Sequence, residues 1–275
     1  MPDVPVISLN NGTRLPQLGL GVFKVGDAEA VDAVGTALRE GYRSIDSAAG
    51  YHNERGVGEA IARSGLPRGE VFVTTKVPND AHGFDRALRA FDASLDLLGL
   101  DYVDLYLIHW PRPHQDLYVE TWRALEKIYA DGRAKAIGVS NFHIPHLQRV
   151  LDETDVVPAV NQIELHPYLT QRELRAFHAE HAIVTEAWSP LARGGRLLAD
   201  PVVTTIAEKY ARTPAQIVLR WHIQLGNMVI PKSVTPARIS ENIDVFGFEL
   251  APDDVDAIVD LNIGHRTGPD PDTFG

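Results

Sequence analysis

Eight short apolar runs recur along this chain, and stretches with helical periodicity fall between them. The runs are LGLG (18–21), YRSID (42–46), VFVTTKV (71–77), YVDLYLIH (102–109), AKAIGVS (134–140), AVNQIEL (159–165), AIVTEAW (182–188) and MVIPKS (228–233). Apolar residues spaced for a helix predict helices over 28–39, 85–98, 117–130, 172–180 and 215–225. Each run reads as a strand that must bury its apolar side chains, and a strand–helix alternation meets that need with a parallel sheet covered by helices. Eight such units predict a (β/α)8 TIM barrel. Ahead of them, Asn11-Gly12 sits between short apolar segments and predicts a two-residue type I′ hairpin turn. That N-terminal β-hairpin is expected to close the bottom of the barrel. A length of 275 residues suits one barrel, so residues 1–275 are expected to form a single domain.

Composition removes several function classes. Lys plus Arg number 26 against 37 Asp plus Glu, a formal charge of −11. Nucleic acid and anionic membranes call for a basic surface, so neither is an expected partner. The chain has no cysteine, which excludes disulfides, thiolate nucleophiles and zinc–thiolate sites. No basic segment followed by an apolar core opens the chain, and no apolar run approaches the ~18 residues of a membrane helix. A cytoplasmic location is expected. No exposed apolar stripe stands out, which points to a monomer.

Barrel enzymes place their chemistry at the C-terminal ends of the strands. Strand two ends at Asp46, three at Lys76, four at His109 and five at Ser140-Asn141; six carries Gln162, seven ends at Trp188-Ser189 and eight at Lys232-Ser233. Polar or ring-bearing groups therefore converge on one rim, with Tyr51 hanging over it from the loop after strand two. A free phenol, with a pKa near 10, gives up its proton reluctantly at neutral pH, and lowering that value by about three units needs about 4 kcal/mol. An ammonium ~4 Å away at an effective dielectric of ~20 supplies about that much. On this reading Asp46 keeps Lys76 charged and Lys76 acidifies Tyr51. Such an acid protonates a carbonyl oxygen while His109, neutral, orients it. No side chain donates hydride, so a nicotinamide cofactor is implied. Trp188 is suited to stack on its ring, and Ser140, Asn141 and Gln162 to bind its carboxamide.

No Rossmann fingerprint is present. GVGEAI (56–61) follows no strand and lacks the third glycine, and its glycines read as close-packing positions in the second helix. The expected phosphate site is IPKSVTPARISEN (230–242). There Lys232, Ser233 and Arg238 stand near a helix opened by Thr235-Pro236, with Glu241 and Asn242 placed for adenine.

These stretches together resemble the aldo-keto reductase family. GYRSIDSAAGYHNERGVGEAI, TTKV, VDLYLIHWP, IGVSNF, NQIELHPY and IPKSVTPARISEN carry the resemblance, in order, over residues 15–250. It implies a catalytic tetrad of Asp46, Tyr51, Lys76 and His109. It also implies nicotinamide contacts at Ser140, Asn141, Gln162 and Trp188, a pyrophosphate lined by Ser189 and Leu191, and phosphate and adenosine contacts at Lys232, Ser233, Arg238, Glu241 and Asn242. The Lys232/Arg238 pair fits the family's NADPH with its 2′-phosphate. Many relatives carry Tyr where Trp188 stands, and the GxGTW-like start reads GLGVFK here. Trp188, the short loop at 192–200 and the ending GPDPDTF are most similar to the prokaryotic 2,5-diketo-gluconate reductase-like branch. The resemblance then implies a substrate pocket lined by Val22, Phe23, Trp110 and the C-terminal tail. The substrates it implies are small aldehydes, dicarbonyls such as methylglyoxal, or keto-sugar acids.

Competing readings remain. His143-x-x-His146 and His178-x-x-His181 have metal-ligand spacing, but Pro145 interrupts the first and no acidic third ligand is evident, so no metal is expected. Glu164 and Glu186 invite a paired-carboxylate glycosidase; strand alternation instead makes Glu164 a packed, hydrogen-bonded carboxylate. A Schiff-base Lys76 leaves Tyr51, Trp188 and the phosphate cluster unexplained. A cofactor-binding regulatory subunit has no need of the intact tetrad.

Overall fold

The computed structural model describes residues 4–274. Two antiparallel strands, β1 (Val6–Ser8) and β2 (Arg14–Pro16), open the chain, with Ile7 opposite Leu15. The connection differs from the expected two-residue turn. Leu9 N–H donates to Thr13 O and Gly12 N–H to Leu9 O, both at 2.9 Å, so residues 9–13 form a wider loop. Gly12 takes φ 85° while Asn11 stays at negative φ. The reason lies outside the hairpin: the Asn11 side chain accepts from Thr13 N–H and donates to Lys135 O, a bond a tight turn would not place.

The barrel follows as β3 (Leu20–Gly21), α1 (Asp27–Glu40), β4 (Ser44–Asp46), α2 (Glu54–Arg63), β5 (Phe72–Val77), α3 (Phe84–Leu98), β6 (Val103–Ile108), α4 (Tyr118–Ala130), β7 (Ala134–Ser140) and α5 (Ile144–Glu153). It continues with β8 (Val160–Glu164), α6 (Arg172–Glu180), β9 (Val184–Trp188), α7 (Pro201–Tyr210), α8 (Pro214–Gln224), β10 (Met228–Val229), α9 (Pro236–Ile243) and α10 (Pro252–Val259). Strands β3 to β10 pair in parallel in sequence order. Bridges from Leu18 to Val229 and from Gly21 to Lys232 close the ring. The last expected strand, 228–233, is shorter in the ladder because Pro231 has no N–H to give. Its carbonyl still accepts from Gly21 N–H at 3.2 Å. Among the described residues no helix is long and apolar enough to cross a membrane.

Strand alternation sorts the core into two layers. Leu105 and Leu107 point into the barrel with Phe72, Ala136, Val160 and Met228, and the hairpin's Leu9 and Leu15 pack on the same cluster. The hairpin therefore fills the end opposite the polar strand termini. Tyr106 and Ile108 face the other way, into the layer that includes Phe91, Trp122 and Trp221. Near the C-terminal ends the inward positions turn polar, and Asp46, Lys76, Gln162 and Glu186 are all buried.

The GVGEAI glycines behave as expected for contact positions. A Cβ on Gly56 would lie 2.0 Å from Asp27 O, and one on Gly58 2.0 Å from Leu98 O. Backbone cannot yield as a flexible side-chain end does, so Gly58→Ala is expected to cost about 1–3 kcal/mol. The urea midpoint reads this out, and an unchanged midpoint would show that α2 and α3 are not held at that distance.

Candidate active site

Lys76, one residue before the end of β5, has 0% exposure. Its ammonium donates to Asp46 Oδ1 and Oδ2 and to Ser47 O, each at 2.8 Å. Asp46 ends β4 and takes a further bond from Gln162 Nε2 of β8 at 2.8 Å. Three strands thus meet in one polar cluster beneath a cavity of about 670 Å3, a size that suits a small organic ligand.

Tyr51 reaches this cluster from a helical turn, Ala49–Tyr51. What fixes that turn is Asn53, a residue the sequence did not single out. Asn53 is fully buried, accepts from Ser47 Oγ at 2.8 Å, and donates to Val22 O at 2.9 Å and Val25 O at 3.0 Å. The Tyr51 ring stands edge-on to His109 with centroids 5.5 Å apart, and the Phe23 ring lies 5.1 Å from it at a tilt. The Lys76 ammonium is 5.1 Å from the Tyr51 ring centroid.

The electrostatics differ in balance from the sequence argument. Burial dominates at Tyr51 and pushes the phenol up to about 12, although Lys76 works to lower it; Asp46 cancels part of the lysine's effect. Tyr51 is therefore not acidified toward neutrality in this pocket, because burial disfavours the phenolate more than one paired ammonium favours it. At neutral pH it holds its proton, as a proton donor must. Lys76 resists the strong lowering effect of burial because Asp46 and Tyr51 keep it charged, leaving its value raised. Burial, aided by Lys76, holds His109 well below the usual imidazole range and so neutral.

Of the expected cofactor residues, Ser140, Asn141, Gln162, Trp188, Ser189 and Lys232 line the cavity. Asn141 adopts φ 64°; its Nδ2 donates to His109 O and Ser140 Oγ, and its Oδ1 accepts from Trp188 Nε1 at 2.8 Å. Ser140 Oγ donates to Gln162 O at 2.8 Å. Gln162 Nε2 bonds Asp46 and also Glu186 Oε1 at 3.0 Å. Both its N–H bonds are engaged, so its amide oxygen alone is left for a ligand. Leu191, Ser233, Arg238, Glu241 and Asn242 lie outside the cavity lining. Leu191 is half-buried against apolar neighbours, Ser233 Oγ accepts from Thr235 N–H, and Glu241 Oε1 accepts from Thr213 Oγ1. Arg238 is exposed and Asn242 buried on α9.

Of the expected substrate residues, Phe23 and Trp110 line the cavity and Val22 does not. Val22 is a correction: its side chain is wholly buried in the core, and its carbonyl serves as the Asn53 acceptor. Arg112, Asn79 and Arg193 also line the cavity and carried no sequence signal.

The C-terminal tail forms the remaining wall through Gly268, Pro269 and Phe274, and Phe274 packs on Trp110 with centroids 4.5 Å apart. Its anchor is Glu164. The Oε1 atom accepts from Thr267 N–H at 2.5 Å, Thr267 Oγ1 at 2.6 Å and His166 Nε2 at 3.0 Å, and Oε2 accepts from Gly268 N–H at 3.0 Å. A Cβ at Gly268 would lie 2.4 Å from the Trp188 ring, so only glycine allows the tail this close. The histidines of both pairs carry hydrogen bonds, and the His143 ring also stands with the Asp270 and Asp272 carboxylates, their nearest polar atoms within 4.8 Å of one another. The His143 ring bonds Asp272 and Arg266, while His178 bonds Asn161 and Thr185.

Burial acts to raise the Glu164 carboxyl, but the bonds from His166, Thr267 and Gly268 outweigh it and hold the value at about 2. That is below its ordinary 4.5, so the anchor is fully present above pH 4.5 and is lost as pH falls toward 2. Protection factors for the Thr267 and Gly268 amides, corrected for the intrinsic pH dependence of exchange, are expected to fall across that window. Glu164→Ala is expected to show the same low protection at neutral pH, with about 1–3 kcal/mol of stability lost. Protection unchanged in the variant would mean that another contact holds the tail.

A model of the Aldo/keto reductase family matches residues 17–263. An aldo-keto reductase of Mycolicibacterium smegmatis is 55% identical over 270 residues, 98% of each chain. The methylglyoxal reductase DkgA of Escherichia coli is 52% identical over 276 residues, the full length of both. The crystal structure of a Gox0644 variant in complex with NADPH superposes with TM-score 0.95 at 50% identity, covering 99% of both chains.

Proposed function

The chain belongs to the aldo/keto reductase family, and from that premise we propose that it reduces aldehydes and ketones to alcohols with NADPH, using Tyr51 as the proton donor. The observation that carries this reading is a protonated phenol poised over a fully buried Lys76–Asp46 pair beside a neutral imidazole. NADPH, when bound, supplies the hydride. Tyr51 protonates the carbonyl oxygen. Lys76 steadies the phenolate that this leaves, Asp46 keeps Lys76 charged, and His109 hydrogen-bonds the same oxygen to orient it.

The residues present fit the cofactor. Acceptor capacity remains at Asn141 Oδ1 and Gln162 Oε1, which matches the N–H groups of a carboxamide. Trp188 gives a flat wall, and Ser140 holds the Asn141 side chain in place. Ser189 and Leu191 are assigned to the pyrophosphate, and Lys232, Ser233 and Arg238 to the 2′-phosphate at the start of α9. Glu241 and Asn242 are assigned to adenine.

Phe23, Trp110 and Phe274 make a largely aromatic substrate wall, and the half-buried Arg112 guanidinium adds one cation to it. Small aldehydes, dicarbonyls such as methylglyoxal, and keto-sugar acids are the substrate classes this supports. The enzyme is read as one barrel domain acting as a cytoplasmic monomer.

Tyr51→Phe is expected to lower carbonyl reduction about 10²–10⁴-fold while NADPH affinity stays within a factor of about two. Stopped-flow turnover and fluorescence titration check the two halves, and unchanged turnover would remove Tyr51 from the mechanism. Arg238→Ala is expected to weaken NADPH binding about tenfold and NADH binding little, the loss of one charge-assisted phosphate contact. Equal losses for both cofactors would reject the 2′-phosphate assignment.

A further inference from the structure

Glu186 lies on β9, buried inside the barrel, and the proton-donor arrangement gives it no part. Its Oε1 accepts from Gln162 Nε2 at 3.0 Å, and the same nitrogen donates to Asp46 Oδ1 at 2.8 Å. One primary amide thus bridges two carboxyl groups with its two N–H bonds. Among the described residues Glu186 Oε2 has no hydrogen-bond partner. Lys76, the cation that could neutralise a second carboxylate, directs its hydrogen bonds to Asp46 and Ser47 O. The cluster therefore has one ammonium for two carboxyls and a phenol. Building on the reductase reading above, we propose that Glu186 is a positioning residue for this reaction: bridged to Asp46 through the Gln162 amide, it sets the charge that Tyr51 and Lys76 experience.

The titratable groups facing it come from three elements, namely Asp46 on β4, Lys76 on β5 and Tyr51 on the helical turn. Adjoining β8 brings the Gln162 amide, and β10 places Met228 in register with Glu186. Burial first, and the negative Asp46 second, push the Glu186 carboxyl up to about 8 against the weaker opposing pull of Lys76. At neutral pH it holds a proton, and Asp46–Lys76 is the one ion pair of the cluster. Losing that proton in the alkaline range adds a negative charge that raises the affinity of Tyr51 and Lys76 for their own protons. Tyr51 then persists as an acid for reduction and converts later to the base that alcohol oxidation requires.

Glu186→Gln tests this, because glutamine copies the shape and acceptor of the protonated acid and cannot ionise. The pH profile of kcat/KM for NADP⁺-dependent alcohol oxidation is measured for both proteins, with NADPH-dependent reduction at pH 7 alongside. The variant is expected to reduce carbonyls at pH 7 within about threefold of the wild type, since both present a neutral group there. Its oxidation limb is expected to rise at a pH lower by about one unit. Thermal melts give a readout independent of activity. An acid whose folded value is raised binds more protons folded than unfolded, so the wild type loses stability as pH rises from the ordinary 4.5 to about 8. The variant does not, and its melting advantage is expected to widen across that window. Superimposable oxidation profiles, a melting difference that does not change with pH, or a variant unfolded at pH 7 would each overturn the proposal. A wild type that reduces no carbonyl with NADPH would instead remove the reductase reading, and the melts would still report on the Glu186 proton.

Discussion

The Lys76–Asp46 pair is the constraint around which the site is arranged. An ammonium with no exposure to water is tolerated only where its hydrogen bonds are complete, and here two carboxylate oxygens and the Ser47 carbonyl complete them. Removing either partner would strand a buried charge at a cost of about 3–5 kcal/mol. The pair also connects the elements of the barrel, since Asp46 on β4 holds Lys76 on β5 and receives Gln162 from β8, which in turn reaches Glu186 on β9. Tyr51 is set above this arrangement, and burial keeps it protonated.

Each end of the barrel is sealed by a segment that lies outside the βα repeat. At the bottom, the hairpin inserts Leu9 and Leu15 into the apolar interior layer, while Asn10 and Asn11 donate to backbone carbonyls at the starts of neighbouring strands. At the top, the C-terminal tail lies across Trp188 and is tied down by the buried Glu164 carboxylate. The two seals use opposite physics: non-directional burial of apolar area where only stability is needed, and directional charge-assisted hydrogen bonds where a wall must stand at a set distance from the chemistry. Asn53 does for the Tyr51 turn what Glu164 does for the tail.

Much of this was legible in the chain because barrel geometry converts strand order into spatial order. Once eight strands are recognised, a residue at the C-terminal end of each lands on one rim, and the positions of Asp46, Lys76, His109, Ser140 and Gln162 follow without knowledge of any distance. Gly56 and Gly58 were legible as contact positions because, with no strand before them and no third glycine to complete a dinucleotide fingerprint, they mark where another backbone comes close. The misreadings have physical causes. Asn11-Gly12 scored as a tight turn because turn propensity is local, whereas a tertiary bond to Lys135 O widened the loop. Val22 was placed in the pocket by the family resemblance, but its side chain is wholly buried in the core. Tyr51 was expected to be acidified because Lys76 could be seen in the sequence while the burial of the phenol could not.

By itself the sequence determined the strand–helix alternation, the inward polar residues at the strand ends, and through them the barrel and the identity of the four central groups. These are properties of periodicity and residue type, and they survive without coordinates. Only the tertiary structure decided how those groups share charge. Burial is a property of everything packed around an atom, so the raised phenol of Tyr51, the neutral His109 and the proton-holding Glu186 depend on segments far apart in the chain. The same holds for the tail, whose wall exists because a carboxylate at Glu164 meets two backbone amides about a hundred residues later. Hydrogen bonds of that range leave no periodic trace in the sequence.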